Sequence, residues 1–230
     1  MINKISVKPD TYSASVLFFD EIDLTKLKDR RMVLLFGPNG AGKTTLLKGI
    51  HKSTGKKGGE LVLDLDERVC ELYTYMNGVD NFRSREARTY SEAFDPLFVK
   101  SRFDAQSVSE GQSIIYSVLD LVDGMMPGKF CDDDHDMVVL LDEIDSGLSI
   151  DNIDTIMRKI KRALSKRQNL QVFLSFNSPR VLRHFSEAIS MYDGNPVVLH
   201  NEDDMMSEIR KHKKEFDKVR KKRGRVRVYY

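Results

Sequence analysis

The sequence has little cysteine and no long hydrophobic run. Cys70 and Cys131 are too few for a disulfide framework, and their spacing fits no metal site. No apolar stretch approaches the roughly 20 residues of a membrane-spanning helix, and the first ten residues lack the apolar segment of a signal peptide. These absences predict a cytoplasmic protein without membrane insertion. A length of 230 residues fits one α/β domain.

The net charge of +2 conceals an uneven distribution. Residues 208–230 hold eleven Lys and Arg against three Asp and Glu, a balance of +8, which leaves −6 for residues 1–207. A basic segment of this kind can bind nucleic acid or anionic lipid, or it can be the solvated face of a helix. We predict a basic C-terminal helix or tail over residues 205–230, for which both uses remain open.

A glycine-rich motif follows an apolar run of strand length. Residues 37–45 read GPNGAGKTT, which fits the P-loop pattern GxxxxGK[ST], and MVLLF precedes them. Backbone N–H groups of such a loop surround phosphate oxygens, Lys43 reaches the β and γ oxygens, and the Thr44 hydroxyl can bind Mg²⁺. A helix that starts here adds the positive end of its dipole. The residues predicted to bind the nucleotide are Asn39, Gly40, Ala41, Gly42, Lys43, Thr44 and Thr45.

A second apolar run ends in two carboxylates. Residues 137–141 read MVVLL, and Asp142 and Glu143 follow. Such a run is typical of a central parallel strand, which delivers its last residues to the carboxyl edge of the sheet. In P-loop enzymes the aspartate at this place holds Mg²⁺, and a glutamate can orient or deprotonate the attacking water. We therefore predict that Asp142 and Thr44 hold the metal and that Glu143 acts on the water.

A helix with one buried face is predicted after Ser109. Ser109 and Gln112 fit a capping box, and apolar residues recur at helical spacing from Ile114 to Met126. The start of this helix presents a hydroxyl and free backbone N–H groups. It can therefore be a plain helix cap, an anion site, or both.

The remaining segments complete an α/β pattern. The predicted strands cover 4–7, 14–19, 60–64, 72–76 and 170–176, and a hairpin covers 189–200. The predicted helices cover 44–50, 83–103 in an irregular pattern, 151–167 and 180–187, with a loop at 51–59.

Aromatic residues near the N-terminus are candidates for stacking on a base. Tyr12 lies 25 positions before Gly37, and Phe18 and Phe19 follow in a strand that can form an antiparallel flap over the nucleotide. Any of the three could stack on an adenine ring, although such residues are more often part of the core.

Five motifs, taken in order, resemble those of the ATP-binding-cassette (ABC) ATPase superfamily over about residues 2–200. They are GPNGAGKTT, SEGQS, MVVLLDE, SGLS and FNSP, which look like Walker A, the signature, Walker B, the D-loop and the switch segment. The resemblance implies an α/β P-loop fold over 1–204, with a mostly parallel central sheet, an antiparallel N-terminal flap and a short helical subdomain at about 83–126. It also implies ATP and Mg²⁺ as cofactors and Glu143 as the general base.

The resemblance further implies that two protomers enclose two ATP molecules, either as a homodimer or with a related ABC-type chain. Ser109, Gly111 and Gln112 would contact the γ-phosphate of ATP bound to the second protomer. Asn177 replaces the switch histidine of the family, and because an amide cannot carry positive charge, hydrolysis is expected to be slow. The usual Q-loop glutamine has no clear match, and Asn77 is the nearest residue.

Two biological roles fit an ATPase with these motifs. The favoured one is a soluble ATPase similar to those of DNA repair, chromosome maintenance and mobile-element or antiviral defence, coupled to DNA, RNA or an effector protein. The alternative is the nucleotide-binding energy subunit of a membrane transporter. A short helical region, the absence of proline after Asp142 and Glu143, and the basic tail favour the first. A P-loop kinase explains neither SEGQS nor SGLS.

Overall fold

The computed structural model describes residues 1–8, 17–54, 63–65, 70–77, 110–128, 136–145 and 148–226. The strands in these ranges are β1 (Lys4–Val7), β2 (Glu21–Asp23), β3 (Met32–Phe36), β4 (Leu63–Leu65), β5 (Cys70–Asn77), β6 (Asp136–Asp142), β7 (Leu170–Ser175), β8 (Glu187–Ser190) and β9 (Pro196–Val198). The helices are α1 (Lys43–Thr54), α2 (Glu110–Gly124), α3 (Ile150–Lys166) and α4 (Glu202–Val226), with 3₁₀ helices at Leu24–Lys26 and Pro179–His184. None of these helices is long and apolar enough to cross a membrane.

The central sheet has the strand order β5-β6-β7-β3-β8-β9. The first five of these strands run parallel, and β9 is antiparallel to β8. Every residue of β7, and every residue of β6 after Asp136, is buried. Continuous burial is expected of parallel strands that are covered on both faces, and α1 and α3 lie against this sheet. The α/β fold with a mostly parallel central sheet is therefore confirmed.

A small antiparallel sheet lies at the N-terminal side. β1 pairs with β2 and with β4, so that Ile5 stands opposite Ile22 and Leu65. The predicted strand at 14–19 is wrong for residues 17–19, which are not in a strand, and its first three residues lie outside the described residues. Phe19 is buried in the core, and this tertiary packing outweighs the β propensity of the run.

Two further predictions about local structure are corrected. The predicted helix at 180–187 is a 3₁₀ helix that ends at His184, because the Phe185 N–H donates to the Leu182 carbonyl and the chain then enters β8. The first residues of the predicted loop at 51–59 are helical, since α1 continues to Thr54. The strands at 4–7, 72–76, 137–141 and 170–176 and the helix at 151–167 are confirmed within two residues at each end. The predicted helix at 83–103 lies outside the described residues.

The C-terminal helix α4 packs on the core. Its first turn carries Glu202, Asp203 and Asp204, which suit the positive end of the helix dipole. The Asn201 side chain accepts a hydrogen bond from the Asp204 N–H at 2.9 Å and caps the helix. Further along, Phe216 is buried at 6% exposure. The basic segment is thus anchored to the body along part of its length.

Candidate active site

Four parallel strands deliver their last residues to one edge of the central sheet. In the register of the sheet, Asn77 of β5 lies opposite Asp142 of β6, and Leu35 of β3 lies opposite Ser175 of β7. Because the carboxyl ends of parallel strands meet at a common edge, the segments that follow these residues share one crevice. This edge is where the predicted phosphate loop and the predicted carboxylates come together.

The loop between β3 and α1 has the conformation that a phosphate cradle requires. Gly40 and Gly42 have φ values of +85° and +94°, in the left-handed region that favours glycine. The Ala41 N–H donates to the Pro38 carbonyl at 3.0 Å, and the Leu46 N–H donates to the Gly42 carbonyl at 2.8 Å as the helix begins. The loop therefore leads directly into a helix N-terminus, which attracts anions.

The first glycine of the loop is needed for a close approach of two segments. A Cβ at Gly37 would lie 2.9 Å from the Met191 Cβ and 3.0 Å from the Ala41 Cβ, closer than real Cβ contacts. The Met191 N–H donates to the carbonyl of Phe36 at 2.7 Å, which fixes the residue after β8 against the loop. Any side chain at Gly37 would separate these segments.

Lys43 is held inside the loop. Its Nζ donates to the Gly37 carbonyl at 2.7 Å, and the residue is only 5% exposed. Burial lowers the pKa of Lys43, while the negative charges of Glu143, Asp142 and Asp145 act in the opposite direction. The lysine thus lies within the electrostatic reach of three carboxylates from the exit of β6.

Asp142 and Glu143 are fixed by one serine of the neighbouring strand. The Ser175 Oγ donates to the Asp142 Oδ1 at 2.5 Å, and the Asp142 side chain is fully buried. The Glu143 N–H donates both to Ser175 Oγ, at 3.0 Å, and to the Ser175 carbonyl, at 3.1 Å. Glu143 has φ = +50°, a left-handed conformation that is uncommon for a residue with a side chain. Strained backbone of this kind is characteristic of functional sites.

Asp145 connects the same turn to the segment after β7. Its Oδ2 accepts hydrogen bonds from the backbone N–H groups of Asn177, at 3.0 Å, and Ser178, at 2.7 Å. The residue is 9% exposed, and its Oδ1 has no hydrogen-bond partner within the described part of the chain. The Asn177 side chain is exposed at this edge. The turn after β6 and the predicted switch segment are therefore held as one unit.

The structure brings some of the predicted site residues together and others not. Lys43, Asp142, Glu143 and Asn177 lie at one sheet edge, together with the loop residues from Asn39 to Thr45. Tyr12 and Ser109 lie outside the described residues, and Gly111 and Gln112 are in the first turn of α2. Phe18 and Phe19 belong to the core, and Phe18 lies against the ring of Phe216.

No sequence motif pointed to Ser175 or Asp145. A signal for Ser175 was available, because a serine follows the apolar run Val172–Leu174 just before FNSP. Asp145 follows Asp142 by three positions, but its two partners lie more than thirty residues away in the chain. Only the pairing of β6 with β7 brings these atoms together.

The donor set suits Mg²⁺. Among the described residues, no group of three or more His, Cys, Asp or Glu side chains could hold a metal ion by itself. Mg²⁺ is usually held by one or two carboxylates together with waters and substrate phosphates. The Asp142 carboxylate and the Thr44 hydroxyl, at the ends of β6 and the phosphate loop, provide such a set.

Comparison with family models identifies one family. A family model described as "ABC transporter" matches residues 19–224. No curated protein sequence matches the chain. Among solved structures, the dimeric cassette MJ0796 of a bacterial ABC transporter is 17% identical with a TM-score of 0.49, covering 86% of this chain and 99% of that chain. The cbiO1 subunit from Clostridium perfringens is 13% identical with a TM-score of 0.48, covering 95% and 98%.

Proposed function

The chain belongs to the ABC transporter family and is an ATPase of that family, and from this premise we propose that two protomers close around two ATP molecules and hydrolyse them. The observation that carries the proposal is that the loop with Lys43 and the carboxylates of Asp142 and Glu143 follow parallel strands, β3 and β6, that end at one edge of the sheet on either side of β7. A cation, a metal-binding carboxylate and a second acidic group beside a helix N-terminus are the parts that phosphoryl transfer to water requires.

The residues have separate roles in this mechanism. Lys43 exchanges its bond to the Gly37 carbonyl for the β and γ oxygens of ATP, and the N–H groups of the loop bind the remaining phosphate oxygens. Mg²⁺, held by Thr44 and Asp142, would supply positive charge to the same phosphates. Glu143 takes a proton from a water that attacks the γ-phosphorus, the bond to the β–γ bridging oxygen breaks, and ADP leaves. Asn177 donates a hydrogen bond to the γ-phosphate.

The second protomer supplies the rest of the site. We assign this role to Gly111 and Gln112, which lie in the first turn of α2, because a helix N-terminus offers N–H groups and a positive dipole end to an anion. Ser109 is assigned with them from the order of the sequence motifs. A γ-phosphate shared between two chains makes the dimer depend on ATP. In the first chain, the register of Asn77 beside Asp142 supports Asn77 as the residue that stands in for the Q-loop glutamine.

Two mutations test this function. Lys43→Ala should abolish ATP binding, because it removes the charge that neutralises the phosphates. Glu143→Gln should bind ATP as tightly as the wild type and hydrolyse it at least 100-fold more slowly, since only the base is lost. Light scattering should show Glu143→Gln as a dimer with ATP and as a monomer without it. A monomer at saturating ATP, or full hydrolysis by Glu143→Gln, would refute the mechanism.

A further part of the proposal concerns the process that ATP hydrolysis drives. The family model is that of ABC transporters, and this match supports an energy subunit of a transporter over the soluble ATPase that the sequence motifs and the basic tail favoured. Roles in DNA repair, chromosome maintenance or defence have no comparable support. We therefore propose the transporter subunit as the first candidate.

A second candidate, binding to DNA or RNA, is favoured by one observation. Among the α4 side chains that the structure describes, the exposed basic ones are Arg210, Lys211, Lys213, Lys214 and Lys218. A helix anchored on one side and basic on another can contact several phosphates without sequence preference.

Charge substitutions separate the two candidates. Replacing Lys213, Lys214 and Lys218 by Gln removes three exposed charges from α4, and replacing Lys161, Arg162 and Lys166 removes three exposed charges from α3 as a matched control. If α4 binds nucleic acid, only the first variant should lose affinity for duplex DNA, and the slope of log K against log salt should fall by about 3. If both variants bind duplex DNA with equal affinity and equal salt slopes, α4 is not a nucleic-acid-binding surface, and the transporter subunit is the remaining candidate.

A further inference from the structure

We propose that Ser175 is a positioning residue for hydrolysis, which acts by holding Glu143 in its catalytic orientation. The inference rests on the proposed role of Glu143 as the base. Ser175 ends β7, and it is fully buried. It reaches no phosphate in the proposed mechanism, so its effect must pass through other residues.

The hydrogen bonds of Ser175 determine how it acts. A hydroxyl has one proton to donate, and the Oγ of Ser175 donates it to Asp142 Oδ1 at 2.5 Å. The lone pairs of the same oxygen then face the Glu143 N–H, at 3.0 Å. One side chain therefore fixes both the carboxylate of Asp142 and the backbone of the next residue.

The backbone of Glu143 needs such support. With φ = +50°, Glu143 occupies a conformation that a residue with a Cβ adopts only when its surroundings impose it. The Glu143 N–H is shared between the Oγ and the carbonyl of Ser175, so loss of the hydroxyl leaves one of the two acceptors in place. We expect the turn to persist without the hydroxyl, but with Glu143 free to relax away from the water.

A second contact holds the same turn from its other end. Asp145 accepts the N–H groups of Asn177 and Ser178, just beyond Ser175 in the chain. This contact remains in a Ser175 variant. The effect of removing the hydroxyl should therefore be local to residues 142–144, and the switch segment should keep its place.

The test compares Ser175→Ala and Ser175→Thr with a matched control. Ser190 is the control, because it also ends a strand of the central sheet, is buried, and accepts a backbone N–H, that of Tyr192 at 3.3 Å. Ser175→Ala should lower kcat about 10- to 100-fold with little change in KM for ATP. Ser175→Thr keeps the hydroxyl and should recover most of the rate, and Ser190→Ala should change kcat less than threefold.

A double-mutant cycle and a measurement without turnover complete the test. In the Glu143→Gln background, Ser175→Ala should cause a much smaller loss of hydrolysis than in the wild type, because the carboxylate that it positions is already gone. Hydrogen exchange of the Glu143 amide should be faster in Ser175→Ala than in the wild type or in Ser190→Ala. If Glu143 is not the base, Ser175→Ala will not lower the rate of hydrolysis, but it will still speed the hydrogen exchange of the Glu143 amide. Unchanged exchange, or an additive cycle, would overturn the proposal.

Discussion

The ring of Phe216, near the middle of the C-terminal helix, lies 4.9 Å from the ring of Phe18, on the segment that leads into β2. The same ring meets Tyr192 edge-on at 5.7 Å, and Tyr192 in turn lies 6.4 Å from Phe36, the last residue before the phosphate loop. The basic helix is therefore joined by a row of aromatic side chains to the strand that carries the loop. Aromatic pairs in such arrangements stabilise a fold beyond the area that they bury.

Phe216→Ala should destabilise the protein by about 3–5 kcal/mol, because it removes a buried ring and leaves a cavity between α4 and the core. Urea unfolding measures the change. Met206→Ala, on the same helix at 37% exposure, is the control and should cost less than about 1 kcal/mol. If the two variants are equally stable, α4 is not anchored by its aromatic residues.

Raising the pH above about 10 should lower the stability of the fold through Tyr192. Burial, followed by the charges of Glu208 and Asp217, raises the pKa of Tyr192 to about 12, against 10 in an unfolded chain. Between these values the native state binds the proton more tightly than the unfolded state, so stability falls as pH rises from about 10 to 12. Thermal unfolding at pH 8 and pH 11 should show a smaller decrease for Tyr192→Phe than for the wild type. Equal decreases would contradict the prediction.

Asp145→Ala should separate the switch segment from the turn after β6. It leaves the N–H groups of Asn177 and Ser178 without their acceptor, at a cost of about 2–3 kcal/mol, and we expect hydrolysis to fall about tenfold. Asp145→Asn keeps an acceptor oxygen and should lose less than half as much stability. Denaturant unfolding and ATP turnover of both variants test this. An equal loss in Asp145→Asn would show that the charge facing Lys43 matters instead of the hydrogen bonds.

Gly194→Ala and Gly128→Ala form a matched pair. Both glycines have positive φ, +76° and +70°, so an alanine is strained at either site by about 1–2 kcal/mol. A Cβ at Gly194 would lie 2.5 Å from the Glu21 carbonyl oxygen, whereas a Cβ at Gly128 meets no atom of the described residues within 4 Å. Gly194→Ala should therefore be less stable than Gly128→Ala by about 1–3 kcal/mol. Similar unfolding midpoints would mean that the β8–β9 turn can move away from β2.

The sequence by itself determined the parts whose signals are local. The phosphate loop is a contiguous motif, and the apolar runs before Gly37 and Asp142 fix two central strands because only strands buried on both faces are so uniformly apolar. The order of the motifs was enough to predict the family and the parallel sheet. The position of Lys43 near Asp142 also followed, since parallel strands end at one edge.

Tertiary structure decided the relationships that no short pattern contains. Ser175 and Asp145 meet their partners across more than thirty residues of chain, because β6 and β7 pair in one particular register. The charge of the C-terminal segment was visible in the sequence, and Met205, Ile209 and Phe216 recur there at helical spacing, but only the fold shows that the Phe216 ring lies against Phe18 and Tyr192. The strand expected at 14–19 was wrong for residues 17–19 because local β propensity is weak compared with the burial of Phe19 and the contact of Phe18 with Phe216 of α4. Local propensity depends on neighbours in the chain, whereas burial depends on neighbours in space, and only the fold brings those together.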